Sequence, residues 1–169
     1  MSSKRIFFAL WPTQKQRQLI ESAIEPHRKD LSGKWMVRDN LHVTLVFIGN
    51  FPEKDIVSLQ EAAGIIQCPH IKLSFEWIDF WKRQKIMCLH APTVPDDLVD
   101  LVKSLESEAS AFGYEPEKRP YKPHMTIARK AGFFQPILLA QPLVLRWAVF
   151  ELIESISTPK GVRYRPLKQ

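Results

Sequence analysis

A five-residue pattern occurs twice in this chain, and its spacing limits the fold more than any other feature. Leu41-His42-Val43-Thr44-Leu45 is answered by Pro123-His124-Met125-Thr126-Ile127, with the histidines 82 residues apart in a chain of 169. A separation near half the length is what two structurally similar lobes produce. In an extended strand, side chains at i and i+2 share a face. His42 and Thr44 therefore point one way and Val43 and Leu45 the other; His124 and Thr126 repeat this opposite Met125 and Ile127. Each copy sets an imidazole beside a hydroxyl on a strand whose other face is anchored in a core, a rigid mount for polar chemistry.

The segments around the two motifs give an α+β pattern. Arg5 to Leu10 is an apolar run suited to a buried strand, and Thr13 caps a helix whose stripe of Leu19, Ile20, Ala23 and Ile24 ends before Pro26. Leu41 to Ile48 is the next strand, closed by a turn at Gly49-Asn50, and Pro52-Glu53 opens a helix running to Ile66. Ile71 to Phe80 and Lys85 to Leu89 form two strands across a short basic connection, and Pro95-Asp96-Asp97 starts a helix that Gly113 stops. Pro120 and Pro123 hold the chain extended ahead of a strand from His124 to Ala128. Leu143 to Ile153 and Arg163 to Leu167 supply two more strands, separated by Ser157 to Gly161. Strands come in pairs between helices, which favours antiparallel sheet over a doubly wound parallel one.

Residues 1–169 are accordingly expected to form a single bilobal domain: two pseudo-symmetric lobes of antiparallel sheet with flanking helices around a central cleft. Forty-five per cent of the residues are hydrophobic and 25% charged, which excludes disordered and fibrous classes. No apolar window is long enough for a membrane span and the opening run lacks a signal cleavage site, so a cytoplasmic chain without membrane contact is expected. Cys68 and Cys88 have no CxxC or CxxH spacing, so no metal site is indicated and both read as small buried hydrophobes. Lysine and arginine exceed aspartate and glutamate by 24 to 18, a net charge of +6 that favours polyanions.

If the lobes face one another, two imidazoles and two hydroxyls converge on one cleft. That set is suited to phosphodiester chemistry with no cofactor. One neutral imidazole takes a proton from water, a protonated one delivers a proton to the departing oxygen, and Thr44 and Thr126 hydrogen-bond the non-bridging phosphate oxygens. An unperturbed pKa of ~6.5 leaves histidine able to do either job. The two imidazoles are equivalent in sequence, so spacing alone does not decide which is acid and which is base.

The paired motifs resemble those of the 2H phosphoesterases, and within them the RNA 2',3'-cyclic phosphodiesterases, also called 2'-5' RNA ligases. The likeness runs from Arg5-Ile6-Phe7-Phe8-Ala9-Leu10 through both motifs to Tyr164-Arg165-Pro166-Leu167. It implies a metal-independent enzyme that opens a terminal 2',3'-cyclic phosphate to a 2'-phosphate, with His42 as proton donor and His124 as proton acceptor. It also implies a reversible 2'-5' ligation, in which a 5'-hydroxyl is joined to the cyclic phosphate. The implied partners are RNA ends or small nucleotides bearing a 2',3'-cyclic phosphate, met by a monomer with no obligate protein partner. Two other readings stand beside it: an RNA-binding module without turnover, and a phosphodiesterase of a small cyclic nucleotide.

Arg129 follows the second motif, where the resemblance associates an arginine with substrate phosphate. Strict alternation aims it away from His124, so that role requires a bulge or a strand end. Tyr121 is a further candidate for binding substrate by stacking on a base, whereas Phe7 and Phe47 read as core. Arg38, Lys118, Arg119, Lys122 and Lys130 bracket the motifs as a basic rim. His27, His70 and His90 read as surface or structural, and the five tryptophans as core packing.

Overall fold

In a computed structural model that describes residues 1–168, nine strands form two antiparallel sheets flanked by three helices. The order is β1 (Ser3–Leu10), α1 (Gln14–Ile24), β2 (Lys34–Trp35), β3 (Val43–Pro52), α2 (Ile56–Gly64), β4 (Ile71–Trp81), β5 (Ile86–His90), α3 (Asp96–Ser110), β6 (His124–Arg129), β7 (Ile137–Trp147), β8 (Glu151–Thr158) and β9 (Gly161–Pro166). One sheet runs β3-β1-β8-β9 and the other β2-β6-β5-β4-β7. Each motif thus belongs to a different sheet, and the expected α+β arrangement with two antiparallel sheets is present.

Alternation along β1 shows how one strand serves both core and cleft. Ile6, Phe8 and Leu10 enter the main core with residues from both sheets and all three helices. Phe7 and Ala9, on the opposite face, form a second small cluster with Ile153, against which Trp11 and Tyr164 pack. Trp11-Pro12 ends the strand, and Thr13 caps α1 through a reciprocal box: its hydroxyl accepts from the Gln16 amide while the Gln16 side chain accepts from the Thr13 amide.

Several local expectations are revised. Gly49-Asn50 does not end the second strand, because β3 continues to Pro52 and Gly49, at φ +85°, sits where its register with β1 slips. Only glycine takes that conformation without a Cβ penalty. The run from Leu143 to Ile153 is not one strand: it breaks after Trp147, and the chain crosses from one sheet to the other before Glu151. Three strands therefore occupy the C-terminal part, and the two-residue β2 was not anticipated. Leu19 is exposed, and Cys68 is only partly buried while Cys88 is fully buried. Among the tryptophans only Trp147 is a buried core residue.

Candidate active site

Both motifs carry the same irregularity. On β3, Ala9 of β1 faces Thr44 and Phe8 faces Val46, which leaves Leu45 as an extra residue. On β6, Cys88 of β5 faces Thr126 and Met87 faces Ala128, which leaves Ile127 extra. In each copy the bulge falls directly after the threonine. A bulge resets the side-chain alternation of the strand that carries it. Ile127 and Ala128 are both buried in consequence, and Arg129 emerges on the face shared by His124 and Thr126. The condition that Arg129 required is met. The same shift brings out Phe47, which is 47% exposed and so not core, beside Phe7 with the Arg5 guanidinium 4.7 Å from its ring centre.

The imidazoles are held by a common device. His42 Nδ1 lies 2.7 Å from the Asn40 carbonyl oxygen, and His124 Nδ1 lies 2.9 Å from that of Lys122, in each case two residues back. A carbonyl only accepts, so Nδ1–H donates in both rings and Nε2 is left for chemistry. His42 Nε2 lies 2.9 Å from Thr44 Oγ1, while His124 Nε2 has no protein partner among the described residues.

Aromatic rings wall both histidines. Phe7, Tyr164 and Trp11 lie 4.8, 5.1 and 6.0 Å from the His42 ring, and Trp81 lies 4.2 Å from the His124 ring. Trp11 and Trp81 are therefore site walls, not core filler. Burial pushes the His42 pKa down to about 4, helped by the positive charges of Arg17, His124 and Arg129 and opposed by the Asn40 carbonyl. Burial also lowers His124, opposed by the Lys122 carbonyl and helped by His90. Tyr164, which stands edge-on to the His42 ring, also accepts from Arg129, so the end of the second motif's strand reaches the surroundings of the first motif.

Supporting residues complete the picture. Buried Asn40 donates from Nδ2 to the Val162 carbonyl at 2.7 Å and accepts through Oδ1 from the Tyr164 amide at 3.1 Å, fixing β9 beside the first motif. Arg129 Nη2 donates to Tyr164 Oη at 3.3 Å, linking the lobes. Tyr121 Oη donates to the Thr44 carbonyl at 2.7 Å, and its half-buried ring packs on the core, so the structure gives it a hold on β3. Arg17 on α1 is 2% exposed and donates from Nη1 to the Arg38 and Leu41 carbonyls at 2.6 and 2.9 Å. Asn40, Tyr164, Trp81 and Arg17 escape sequence reasoning because their partners lie far along the chain. His90, read from sequence as surface or structural, stands directly opposite His124 in the β5–β6 register, with its Nδ1 2.9 Å from Asp79 Oδ2. In the basic rim, Arg38 pairs with Glu21 at 3.6 Å, whereas Lys118, Arg119, Lys122 and Lys130 are exposed.

The sequence pattern of the 2'-5' RNA ligase superfamily matches residues 12–132. The chain belongs to that superfamily. Within it, the chain is 29% identical over 171 residues to the RNA 2',3'-cyclic phosphodiesterase of Escherichia coli (strain K12), covering 98% of this chain and 95% of that protein. Its fold superposes on E. coli LigT complexed with 3'-AMP at a TM-score of 0.88, with 28% identity and 99% and 97% of the two chains covered. LigT complexed with phosphate gives a TM-score of 0.84 at 27% identity, covering 99% and 96%. No helix among the described residues is long and apolar enough to cross a membrane.

The buried histidine makes stability pH-dependent in a definite direction. An unfolded His42 titrates near pH 6.5 and the folded one at about 4, so between those values the unfolded chain binds more protons. The contribution is fully present above pH 6.5 and is lost as pH falls toward 4, by about 3 kcal/mol at most from this residue. Denaturant unfolding at a series of pH values is expected to show that slope, and His42→Asn should flatten it; an unchanged slope would remove His42 as its source.

Proposed function

We propose that the protein is an RNA 2',3'-cyclic phosphodiesterase, acting through His42 and His124 on a cyclic phosphate held between them. The observation that carries this reading is the repeated mount: a carbonyl-anchored imidazole, a threonine two residues on, and a bulge, once in each sheet. The family and the name of the E. coli relative support the same substrate.

In the forward reaction water attacks phosphorus, and His124 Nε2, free of protein partners, takes its proton. The bond from phosphorus to O3' breaks as His42 Nε2 delivers a proton to that oxygen, leaving a 2'-phosphomonoester and a 3'-hydroxyl. Thr44, Thr126 and Arg129 meet the non-bridging oxygens. Ligation to a 2'-5' linkage is the same displacement with a 5'-hydroxyl in place of water: His124 takes the proton of that hydroxyl and His42 protonates O3' as its bond to phosphorus breaks. Phe47, exposed beside the Arg5 guanidinium, offers a base an aromatic face.

Neutral, desolvated imidazoles suit the base but require the acid to gain a proton, which an anionic phosphate between the rings favours. The value of kcat/KM follows the free enzyme and is expected to peak on the acid side of pH 6.5, because both histidines sit below their ordinary value. The kcat profile, reporting the complex, should lie at higher pH. Hydrolysis of 2',3'-cyclic AMP and of a short RNA ending in a cyclic phosphate, in excess chelator, is the test. The phosphodiesterase reading predicts a 2'-phosphomonoester product and a bell-shaped profile. No product from either substrate, or a flat profile from pH 5 to 8, would reject it.

A further inference from the structure

One end of the second sheet concentrates positive charge beyond Arg129, the one cation there that the chemistry at the histidines uses. The β4–β5 turn, Lys82 to Lys85, meets the end of β6 there, and Lys85, Arg129 and Lys130 line a pocket of about 600 Å³ together with Ser32 and Gln84. No carboxylate lines it, and none of these cations has an acidic partner among the described residues. Lys34 of β2 stands directly opposite Arg129 across the ladder. Like charges directly opposed on a sheet are destabilising unless something between them compensates.

The backbone adds an independent sign. Lys85 and Lys130 both adopt the left-handed conformation, at φ +52° and +50°, where glycine fits without steric cost. The two are adjacent, because the Ala131 amide donates to the Lys85 carbonyl at 2.9 Å. Strained lysines beside a cavity, at positions where glycine would be easier, indicate that the side chains are needed.

We propose that this corner is a second phosphate site, which binds a backbone phosphodiester of the RNA and makes oligoribonucleotides the preferred substrate class. The inference rests on the phosphodiesterase reading above. A 2',3'-cyclic phosphate is the 3' end of its strand, so every other phosphate of the RNA lies on its 5' side. Arg129 connects the two places: it reaches Tyr164 beside His42 and also lines the pocket. From Thr126 to Lys130 the chain covers four residues, one of them the bulge, and so advances ~10 Å at the usual rise, a span that a mononucleotide held at the imidazoles leaves open and a short oligonucleotide reaches.

The experiment compares kcat/KM for 2',3'-cyclic AMP with that for a short oligoribonucleotide ending in a 2',3'-cyclic phosphate, across a range of salt. The oligonucleotide is expected to be preferred at low salt, and the preference should fall by about 0.7 log units per log unit of salt for each cation engaged. Lys85→Gly removes one cation and relieves the backbone, so its melting temperature should hold or rise while the oligonucleotide preference drops and the salt slope shrinks by about 0.7. Lys85→Arg should keep both. Equal kcat/KM for the two substrates at every salt, or a Lys85→Gly variant that loses activity on both alike, would overturn the second site while leaving the phosphodiesterase reading intact. Failure to turn over either substrate would remove that reading and the site with it.

Discussion

His42→Ala and His124→Ala are each expected to lower kcat on a 2',3'-cyclic phosphate by at least ~10²-fold, the low end of what a positioned acid or base contributes. The two losses should not add, because each residue works only with the other in place. Substrate affinity is expected to change far less, since Thr44, Thr126, Arg129 and the aromatic walls remain. Asparagine at either position, which can keep the Nδ1-type hydrogen bond to the Asn40 or Lys122 carbonyl, should be as inactive as alanine while folding as well as the parent. Steady-state kinetics with a thermal melt on each variant separates lost chemistry from lost structure. A fall of less than tenfold at either histidine would mean that it does not transfer a proton.

The largest stability effect is expected away from the chemistry, at Arg17. Its guanidinium is buried over the Trp11 ring, 4.7 Å from ring centre, and satisfies the carbonyls of Arg38 and Leu41 on the segment that leads into His42. Arg17→Ala strands two acceptors at about 1 to 3 kcal/mol each, offset in part because a charge no longer needs to be buried. A net loss of about 3 kcal/mol is expected, seen as a fall of roughly 6 to 12 °C in Tm for a chain of this size. The same change removes a positive neighbour of His42, so the His42 pKa should rise. Arg17→Met, which keeps the packing but not the donors, should recover only part of the loss. A change below ~1 kcal/mol for Arg17→Ala would show the carbonyls satisfied in another way.

The elements legible in the sequence were those whose signal is local. Thr13 and Gln16 announce the start of α1, and Leu98, Leu101, Val102, Leu105 and Ala109 are the buried stripe of α3. The two His-x-Thr motifs point to the candidate site because period-two alternation assigns a face within four residues. Register is a property of two strands, and there the sequence was silent. The bulges at Leu45 and Ile127 exist only relative to Phe8-Ala9 and Met87-Cys88, so from sequence Phe47 reads as core and Arg129 carries only a condition. Arg17 gives no sign on its own, since an arginine within a helix ordinarily faces solvent. Tyr164 and Asn40 meet across more than a hundred residues, and nothing near either foretells it.

In both motifs a carbonyl holds Nδ1 and leaves Nε2 for chemistry, and the proposed function requires those two Nε2 atoms to address one phosphorus. A crystal structure of the protein with a 2'-phosphorylated nucleotide tests this directly. The expected result is a single phosphate with its oxygens at ~2.7 to 3.2 Å from Nε2 of both His42 and His124. A phosphate that touches one ring only, or neither, would contradict it.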